Sequence, residues 1–374
     1  MLKITSILRY FWLDFNDFII GYITFIILSV LITYLLIRWR NSSWLKIIIV
    51  NLVFFIFLLV NLFYALEIYY RYIFDSTDNI LQMKTTQRWI QRHVRINAFS
   101  FRSDHFFREK DPKELRLSVV GDSIAYGYGV KDENDRFSNL LEQKLTQTCS
   151  SKGSAVKIYN ISKPGMNTSE EKTAIRQYAH EYLTDAVILA YYLNDTRSNR
   201  TPLHTDICYN RIFQYQKHPF WNFLLGKSYA VEYLYVRAYS LLRASQYTSR
   251  CWTGTELDAY YDPEIWIRHL KDLKDIIEYT RKENMGLAVA IFPMIKDLNT
   301  TYPARLIHDR LGKFLKENDV MTIDLLPVYE KYPPEKLMVS SQDFHPNEFA
   351  HKLAFEAIYE QIKNESWVQC KMDQ

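Results

Sequence analysis

The sequence predicts an α/β domain with a mainly parallel sheet, preceded by two membrane-spanning helices. Two uncharged apolar stretches, residues 18–37 and 47–66, lie near the N-terminus of the 374-residue chain. From residue 115 onwards, short strand-like runs alternate with segments whose apolar residues recur at helical spacing. Such alternation is typical of parallel sheets with helices on both faces. The chain is long enough for one or two domains with cores of their own.

The two apolar stretches are predicted to form a membrane anchor over residues 1–67. Each has about 20 residues, the length that an α-helix needs to cross the hydrocarbon core. A buried helix of that length would show a polar face, and these stretches show none. A cleaved signal peptide is the alternative for the first stretch, but the second follows directly. Aromatic residues typical of membrane interfaces flank both stretches: Trp12, Trp39, Trp44, Tyr69 and Tyr70.

The loop between the stretches sets the predicted orientation. It contains Arg38, Arg40 and Lys46, and basic loops favour the cytoplasmic side. In an inner (cytoplasmic) membrane, the C-terminal domain would then be periplasmic or extracellular. Arg71, just beyond the second stretch, is a basic residue on the other side and weakens this prediction.

The chain beyond the anchor divides into two predicted segments. Residues 68–114 are polar and aromatic without clear periodicity, which predicts a stalk and lead-in to a domain at 115–366. Strands are predicted at 115–120, 156–161, 186–191, 287–292 and 320–324. Helices are predicted at 139–145, 169–182, 266–282, 304–317 and 347–363. Sites in such sheets lie beyond the carboxyl ends of the strands, so polar motifs there are candidates for function.

Composition excludes several classes of protein. The net charge is +4, with acidic residues interspersed among basic ones, so the pattern is not that of a nucleic-acid-binding protein. The cysteines, Cys149, Cys208, Cys251 and Cys370, form no C-x-x-C pair and show no zinc spacing. No metal site and no cofactor is therefore predicted. Two disulfides, in any of three connectivities, and four free thiols both remain open.

Two motifs offer a nucleophile and a base. Gly121-Asp122-Ser123-Ile124 follows the first strand, which places Ser123 near a helix N-terminus whose N–H groups stabilise negative charge. Asp343-Phe344-His345 stands just before the closing helix. An aspartate there could orient the imidazole while it removes a serine proton. Each motif alone also fits an ordinary turn or loop.

Two further motifs offer hydrogen-bond donors. Gly165, in Pro164-Gly165-Met166-Asn167-Thr168, follows the second strand, and a glycine lets a backbone N–H approach a ligand closely. Asn194, in Asn194-Asp195, follows the buried third strand, and its amide could donate to a developing oxyanion. A plain helix-capping loop and an Asx-turn are the alternatives.

Together, these four blocks resemble the SGNH/GDSL hydrolase family, which is named after Ser, Gly, Asn and His in successive blocks. The resemblance covers about residues 95–363, and residues 96–102 (Ile-Asn-Ala-Phe-Ser-Phe-Arg) resemble the lead-in of bacterial members. It implies a flavodoxin-like three-layer fold and acyl chemistry on Ser123. His345 would be the general base and Asp343 its orienting acid. The N–H groups of Ser123 and Gly165 and the Asn194 side chain would form the oxyanion hole.

The sequence departs from the family pattern at two positions. Tyr192 replaces the glycine of the usual Gly-x-Asn-Asp block, and Gln342 stands where Asp-x-x-His would place its aspartate. Asp343 is instead two residues before the histidine. Ala125 stands where the nucleophile elbow of α/β-hydrolases has glycine, which favours the SGNH architecture over that fold.

An aromatic insert at about 197–262 is predicted to be a lid, whose rings stack on sugars or line an acyl pocket. A small core of its own, or a surface on the lipid interface, is the alternative. Cys208 and Cys251 bracket the insert, so a disulfide there could staple it. Its aromatic residues are Phe213, Tyr215, Phe220, Trp221, Phe223, Tyr229, Tyr233, Tyr235 and Tyr239.

The leading functional prediction is a serine esterase that removes acyl groups, acetyl groups in particular, from glycans or lipids at the membrane. An O-acyltransferase that modifies an envelope polysaccharide would use the same residues with a sugar hydroxyl in place of water. A third hypothesis is a catalytically inactive SGNH domain that binds glycans. The expected partners are an acylated glycan or lipid and the membrane, and no nucleic acid.

Overall fold

A computed structural model of the protein describes residues 2–38, 44–78, 82–103, 109–150, 153–196, 213–252, 254–298 and 301–370. The chain divides into two compact units. The first unit comprises Met1–Asp75 and Tyr215–Ala238, and the second comprises Ser76–Gln214 and Tyr239–Gln374.

The secondary structure alternates strands and helices from residue 114 onwards. The α-helices are α1 (Leu2–Arg38), α2 (Trp44–Ile68), α3 (Lys84–His93), α4 (Ser123–Tyr126), α5 (Phe137–Ser150), α6 (Thr168–Ala174), α7 (Pro219–Lys227), α8 (Tyr229–Trp252), α9 (Gly254–Tyr261), α10 (Pro263–Lys282), α11 (Arg305–Glu317), α12 (Leu326–Tyr329), α13 (Pro334–Leu337) and α14 (Glu348–Ile362). The strands are β1 (Glu114–Gly121), β2 (Ala155–Ser162), β3 (Ala186–Tyr192), β4 (Gly286–Phe292), β5 (Met321–Asp324), β6 (Met338–Ser340) and β7 (Asp343–Pro346). Single π-helical turns continue α2 over Tyr69–Ile73 and α6 over Ile175–Ala179.

Two apolar helices in the first unit are candidate membrane spans by length and composition. The apolar windows Ile19–Arg38 and Trp44–Ile73 have mean hydropathies of 2.4 and 2.7, and neither is buried within the protein. Tyr22 donates a hydrogen bond to Asn61 Oδ1 over 2.7 Å, which joins α1 to α2. The predicted stretches 18–37 and 47–66 fall almost entirely within these windows.

The second unit is built on a parallel sheet with the strand order β2-β1-β3-β4-β5. This is the flavodoxin-like order, in which sites form where the order reverses, outside the carboxyl ends of β1 and β3. Gly121 at the end of β1 pairs in register with Ser162 of β2 and Ala190 of β3. The predicted α/β fold with a mainly parallel sheet is therefore confirmed.

Two apolar clusters cover the two faces of the sheet. Neighbouring residues of β1 point into different clusters, as the alternation of a strand requires, with Val119 in one and Val120 in the other. The first cluster includes residues of α5 and α14, and the second includes residues of α6, α10 and α11. Burial on both faces explains why β3 and β4 are continuous apolar runs, whereas single polar residues such as Arg116 and Asn160 interrupt β1 and β2.

A disulfide joins Cys149, at the end of α5, to Cys370. Of the three possible connectivities, the one that contains this bond pairs Cys208 with Cys251. Cys208 and the side chain of Cys251 lie outside the described part of the structure, so the predicted staple of the insert stays a prediction.

The segment 68–114, predicted as a stalk and lead-in, contains structure that its sequence pattern does not reveal. Helix α3 lies within it, and its Trp89 is fully buried in the second unit. The helix also buries Thr85, Thr86 and Arg88, so most of the side chains that it buries are polar. The lead-in residue Arg102 is fully buried and donates to the carbonyls of Gly127 and Val130 over 2.6 and 2.7 Å.

Candidate active site

Ser123 begins a short helix at the carboxyl end of β1. Asp122 caps that helix, because its Oδ1 accepts a hydrogen bond from Ile124 N over 2.9 Å. The preceding turn needs a glycine at position 121, since a Cβ there would lie 2.9 Å from the carbonyl oxygen of Ala190. These local features hold Ser123 at the edge of the sheet where the strand order reverses.

His345 and Asp343 lie on β7, and His345 contacts Ser123, which lies 222 residues earlier in the sequence. The distance from His345 Nε2 to Ser123 Oγ is 2.9 Å, and that from His345 Nδ1 to Asp343 Oδ1 is 2.5 Å. An ionised carboxylate only accepts hydrogen bonds, so Nδ1 carries the ring proton and Nε2 accepts the serine proton. Asp343 Oδ1 also accepts from the backbone N–H of His345 over 3.1 Å. The three predicted residues thus form one continuous chain of hydrogen bonds.

The electrostatics of the site favour a charged imidazole. Burial alone would lower the pKa of His345, but the charge and hydrogen bond of Asp343, together with the charge of Asp122, outweigh it. The net result is a raised pKa for His345. An imidazolium formed by taking the serine proton is therefore stabilised where it forms.

Thr77 is a site residue that the sequence did not reveal. Its hydroxyl donates a hydrogen bond to Asp343 Oδ2, the oxygen that does not face His345, and both side chains are buried. Tyr128 fixes the same segment, because its hydroxyl donates to the carbonyl of Asp78 over 3.1 Å while its ring lies 4.7 Å from the His345 ring. No motif signals a lone threonine four residues after an apolar helix, so only the fold identifies this contact.

Asn194 lies in the turn after β3 and points towards the serine loop. Its Nδ2 donates a hydrogen bond to Asp122 Oδ2 over 3.0 Å. An amide nitrogen carries two hydrogens, so this bond anchors the side chain and leaves a second donor. Tyr192, the residue in place of the family's glycine, fits because the turn requires no positive φ there. Asp195 closes the turn by accepting from the Tyr192 N–H over 2.8 Å.

Gly165 lies in the loop after β2 and has a φ of +82°, a conformation that favours glycine. The same loop leads into α6, which Asn167 caps in a reciprocal pair with Glu170. Thr168 N donates to the Asp195 carbonyl over 3.1 Å, which ties the Gly165 loop to the Asn194 turn. Ser123 is hydrogen-bonded directly to His345, and Asn194 is hydrogen-bonded directly to Asp122. Gly165 is linked to the site through the hydrogen bond between Thr168 and Asp195.

A second group that the sequence did not reveal is the carboxyl of Glu171 on α6. It is fully buried, and neither carboxylate oxygen has a hydrogen-bond partner among the described residues. Burial, followed by the negative charges of Asp122 and Glu170, raises the pKa of Glu171 well above its ordinary value. Burial and the nearby negative charges therefore favour the neutral acid form of Glu171.

Within the described ranges, no group of three or more His, Cys, Asp or Glu side chains is arranged to hold a metal ion. The reactive groups of the site are the Ser123 hydroxyl and the His345 imidazole, with amide donors beside them. Such an arrangement can carry out nucleophilic attack on an acyl carbonyl.

Several described aromatic side chains of the predicted lid contact other residues of the first unit. Tyr233 stacks on Tyr70 with ring centroids 4.2 Å apart, and Tyr215 donates to Glu232 over 2.8 Å. Residues 197–212 of the insert lie outside the described part of the structure.

The sequence matches no family model and no curated protein. Solved structures similar in fold include TesA, with 13% identity over 67% of this chain and 98% of that one and a TM-score of 0.41. A lipolytic protein of the G-D-S-L family from Veillonella parvula has 14% identity over 67% and 99% of the two chains, with a TM-score of 0.41. A catalytic mutant of Axe2, an acetylxylan esterase from Geobacillus stearothermophilus, has 13% identity over 68% and 96%, with a TM-score of 0.40.

Proposed function

We propose that the protein is a membrane-anchored serine hydrolase of the SGNH/GDSL type, which cleaves esters through an acyl-enzyme on Ser123. The single observation that carries this proposal is the hydrogen-bonded chain from Ser123 Oγ through His345 to Asp343. A hydroxyl is activated as a nucleophile when it is hydrogen-bonded to a base and a third group orients that base.

In the proposed first step, Ser123 Oγ attacks the acyl carbonyl while its proton passes to His345 Nε2. Collapse of the tetrahedral intermediate breaks the ester C–O bond, and Nε2 returns the proton to the departing alcohol oxygen. Water then attacks the acyl carbonyl and gives a proton to Nε2. Collapse of the second tetrahedral intermediate breaks the bond between the acyl carbon and Ser123 Oγ, Nε2 returns the proton to Oγ, and a carboxylic acid leaves. The raised pKa of His345 supports its role as proton carrier in both steps.

The oxyanion of both intermediates would accept hydrogen bonds from three donors. The backbone N–H of Ser123 lies at the start of α4, and the backbone N–H of Gly165 lies in a loop with positive φ. The Asn194 amide would supply the third donor through the hydrogen that does not bind Asp122. Donors fixed before the reaction stabilise the developing charge without reorganisation.

We propose acyl esters, acetyl esters in particular, on glycans or lipids at the membrane as substrates. Two observations support a site on the outer side of an inner (cytoplasmic) membrane, in the periplasm or outside the cell. The second unit contains a disulfide between Cys149 and Cys370, which requires an oxidising compartment. The basic loop between α1 and α2 favours the cytoplasm for the opposite side.

The full-length protein tests the proposal with a short-chain chromogenic ester and a fluorophosphonate probe. We expect Ser123→Ala to abolish labelling and to lower hydrolysis by at least about 10³-fold, because the nucleophile is lost. Ser150→Ala, an exposed serine at the end of α5, is the matched control and should behave as wild type. Hydrolysis by the Ser123→Ala protein at the wild-type rate would disprove the assignment. Acetate release with and without an acceptor sugar then distinguishes hydrolysis from acyl transfer.

A further inference from the structure

In the first unit, residues 215–238 contact the end of α2. The carboxylate of Glu67, in the last turn of α2, is buried and caps α8. It accepts from Ser228 Oγ over 2.6 Å, from Ala230 N over 2.9 Å and from Tyr229 N over 3.1 Å. A buried carboxylate at a helix N-terminus is stabilised by the N–H groups there, so this junction is a specific contact.

Further contacts strengthen the junction. Arg71 donates to Glu67 over 2.8 Å and to the carbonyl of Lys227 over 3.0 Å. Its guanidinium also lies over the ring of Tyr229, 5.0 Å from the centroid. The 215–238 segment is therefore fixed to the apolar helix at the level of residues 67–71, although the two are far apart in sequence.

The length of α2 indicates where residues 67–71 would lie in a bilayer. Glu67 follows Trp44 by 23 residues (67 minus 44), which at a rise of about 1.5 Å per residue corresponds to about 35 Å. The hydrocarbon core is about 30 Å thick. Since Trp44 is 73% exposed and of the type that marks one interface, Glu67 lies at the opposite headgroup region.

The surface that the segment presents suits lipid headgroups. Phe220 and Trp221 on α7 are 67% and 50% exposed, although both are large and apolar. Lys217, Lys227 and Arg237 give the segment three basic residues against one acidic residue, Glu232, which is buried. Exposed aromatic rings beside basic residues are typical of helices that lie in the interface of an anionic bilayer.

We propose that the 215–238 segment is an interfacial element that inserts Phe220 and Trp221 among the headgroups of anionic lipids, on the side of the membrane where α2 ends. The proposal rests on the membrane anchoring in the proposed function and is independent of the chemistry at Ser123. It assigns residues 215–238 of the aromatic insert to membrane contact instead of to sugar binding.

Tryptophan fluorescence in nanodiscs tests the proposal with the full-length protein. The bilayer contains phosphatidylglycerol with bromine, a contact quencher, on the acyl chain near the glycerol ester. Trp221→Tyr should remove one quenched emitter of the eight tryptophans, so the lipid-quenched part of the emission falls by up to roughly one eighth of the total. In nanodiscs of brominated phosphatidylcholine, we expect the Trp221 component to be quenched less.

Two control variants separate the outcomes. Trp44→Tyr should also remove a quenched emitter, because Trp44 lies at the start of α2, whereas Trp89→Phe should remove an unquenched one, because Trp89 is fully buried. A loss of quenching in Trp44→Tyr but none in Trp221→Tyr would overturn this inference alone. No loss in either variant would show that α2 does not cross the bilayer, which overturns the anchoring as well and leaves the hydrolase chemistry untouched. Equal quenching of Trp221 in both lipids would overturn the preference for anionic headgroups.

Discussion

At the scale of single residues, the site depends on how the Asp343 carboxylate is held. One oxygen faces His345, and the other accepts the hydrogen bond from Thr77. A buried carboxylate that loses one partner keeps its desolvation cost and gains freedom to turn away from the imidazole. Thr77 is therefore a positioning residue for the base.

Replacing Thr77 with valine should lower kcat by about tenfold to a hundredfold, the effect of losing one buried hydrogen bond to a charged group. A less well oriented Asp343 stabilises the imidazolium less, so the acidic limb of the kcat/KM profile should move to lower pH. Thr77→Ser keeps the hydroxyl and should restore both. A Thr77→Val protein with lower activity but an unmoved acidic limb would show that the threonine serves packing alone.

Asn194→Ala should lower kcat by about 10²–10³-fold, the usual cost of removing one oxyanion donor. The side chain is partly exposed at the end of β3, so we expect little change in melting temperature. Asn364→Ala, at an exposed position after α14, is the matched control. Wild-type kcat in the Asn194→Ala protein would remove this residue from the proposed oxyanion hole.

At the scale of elements, the sequence was most informative where burial is complete on both faces. The predicted strands agree with β1 to β4 to within one residue at each end. Helices cover both faces of these strands, so no charged residue interrupts β3 or β4, and only single polar residues interrupt β1 and β2. The serine, glycine, asparagine and histidine motifs were found because each lies directly after a strand or before a helix. Helix α3, Thr77 and Glu171 were missed because contacts across the fold determine their roles.

The role of the 215–238 segment likewise could not be predicted from the sequence alone. Its aromatic content is visible in the sequence, but the same residues fit a sugar site, a small core or a lipid surface. What distinguishes these is the contact with Glu67, which lies about 160 residues earlier in the chain. The aromatic composition alone is compatible with all three roles, and only the tertiary contacts distinguish between them.

The disulfide acts at this scale too, since it ties the chain beyond α14 to the end of α5. Replacing both Cys149 and Cys370 with serine should lower the free energy of unfolding by about 2–4 kcal/mol. Thermal unfolding of the second unit should show the loss as a lower melting temperature, which wild type should reproduce under reducing conditions. A double variant as stable as oxidised wild type would show that the bond adds no stability.

At the scale of the whole molecule, Glu171 links stability to pH. Its pKa is raised in the folded protein, so the unfolded chain releases this proton at lower pH than the folded chain does. The stability present below the unfolded-state pKa is therefore lost as pH rises towards the folded-state pKa, by up to about 1.4 kcal/mol per pH unit.

Glu171→Gln removes this titration and keeps the shape of the side chain. We expect the melting temperature of the variant, relative to wild type, to rise as the pH is increased from acidic to mildly alkaline values. Glu278→Gln, at an exposed position on α10, is the control for the loss of one carboxyl group from the surface. A Glu171→Gln difference that is constant with pH would show that Glu171 ionises normally in the folded state.

The contact between Thr77 and Asp343 also decides at which residue a truncation that removes the two apolar helices would begin to disturb the site. The second unit begins at Ser76, one residue before the threonine. A protein trimmed to the start of α3 would retain every described strand of the sheet and also Ser123, Gly165, Asn194 and His345, yet the Asp343 carboxylate would lack its hydrogen bond from Thr77. Any cleavage or redesign that separates the second unit from the two apolar helices therefore has to leave Thr77 and the residues between it and α3 in place.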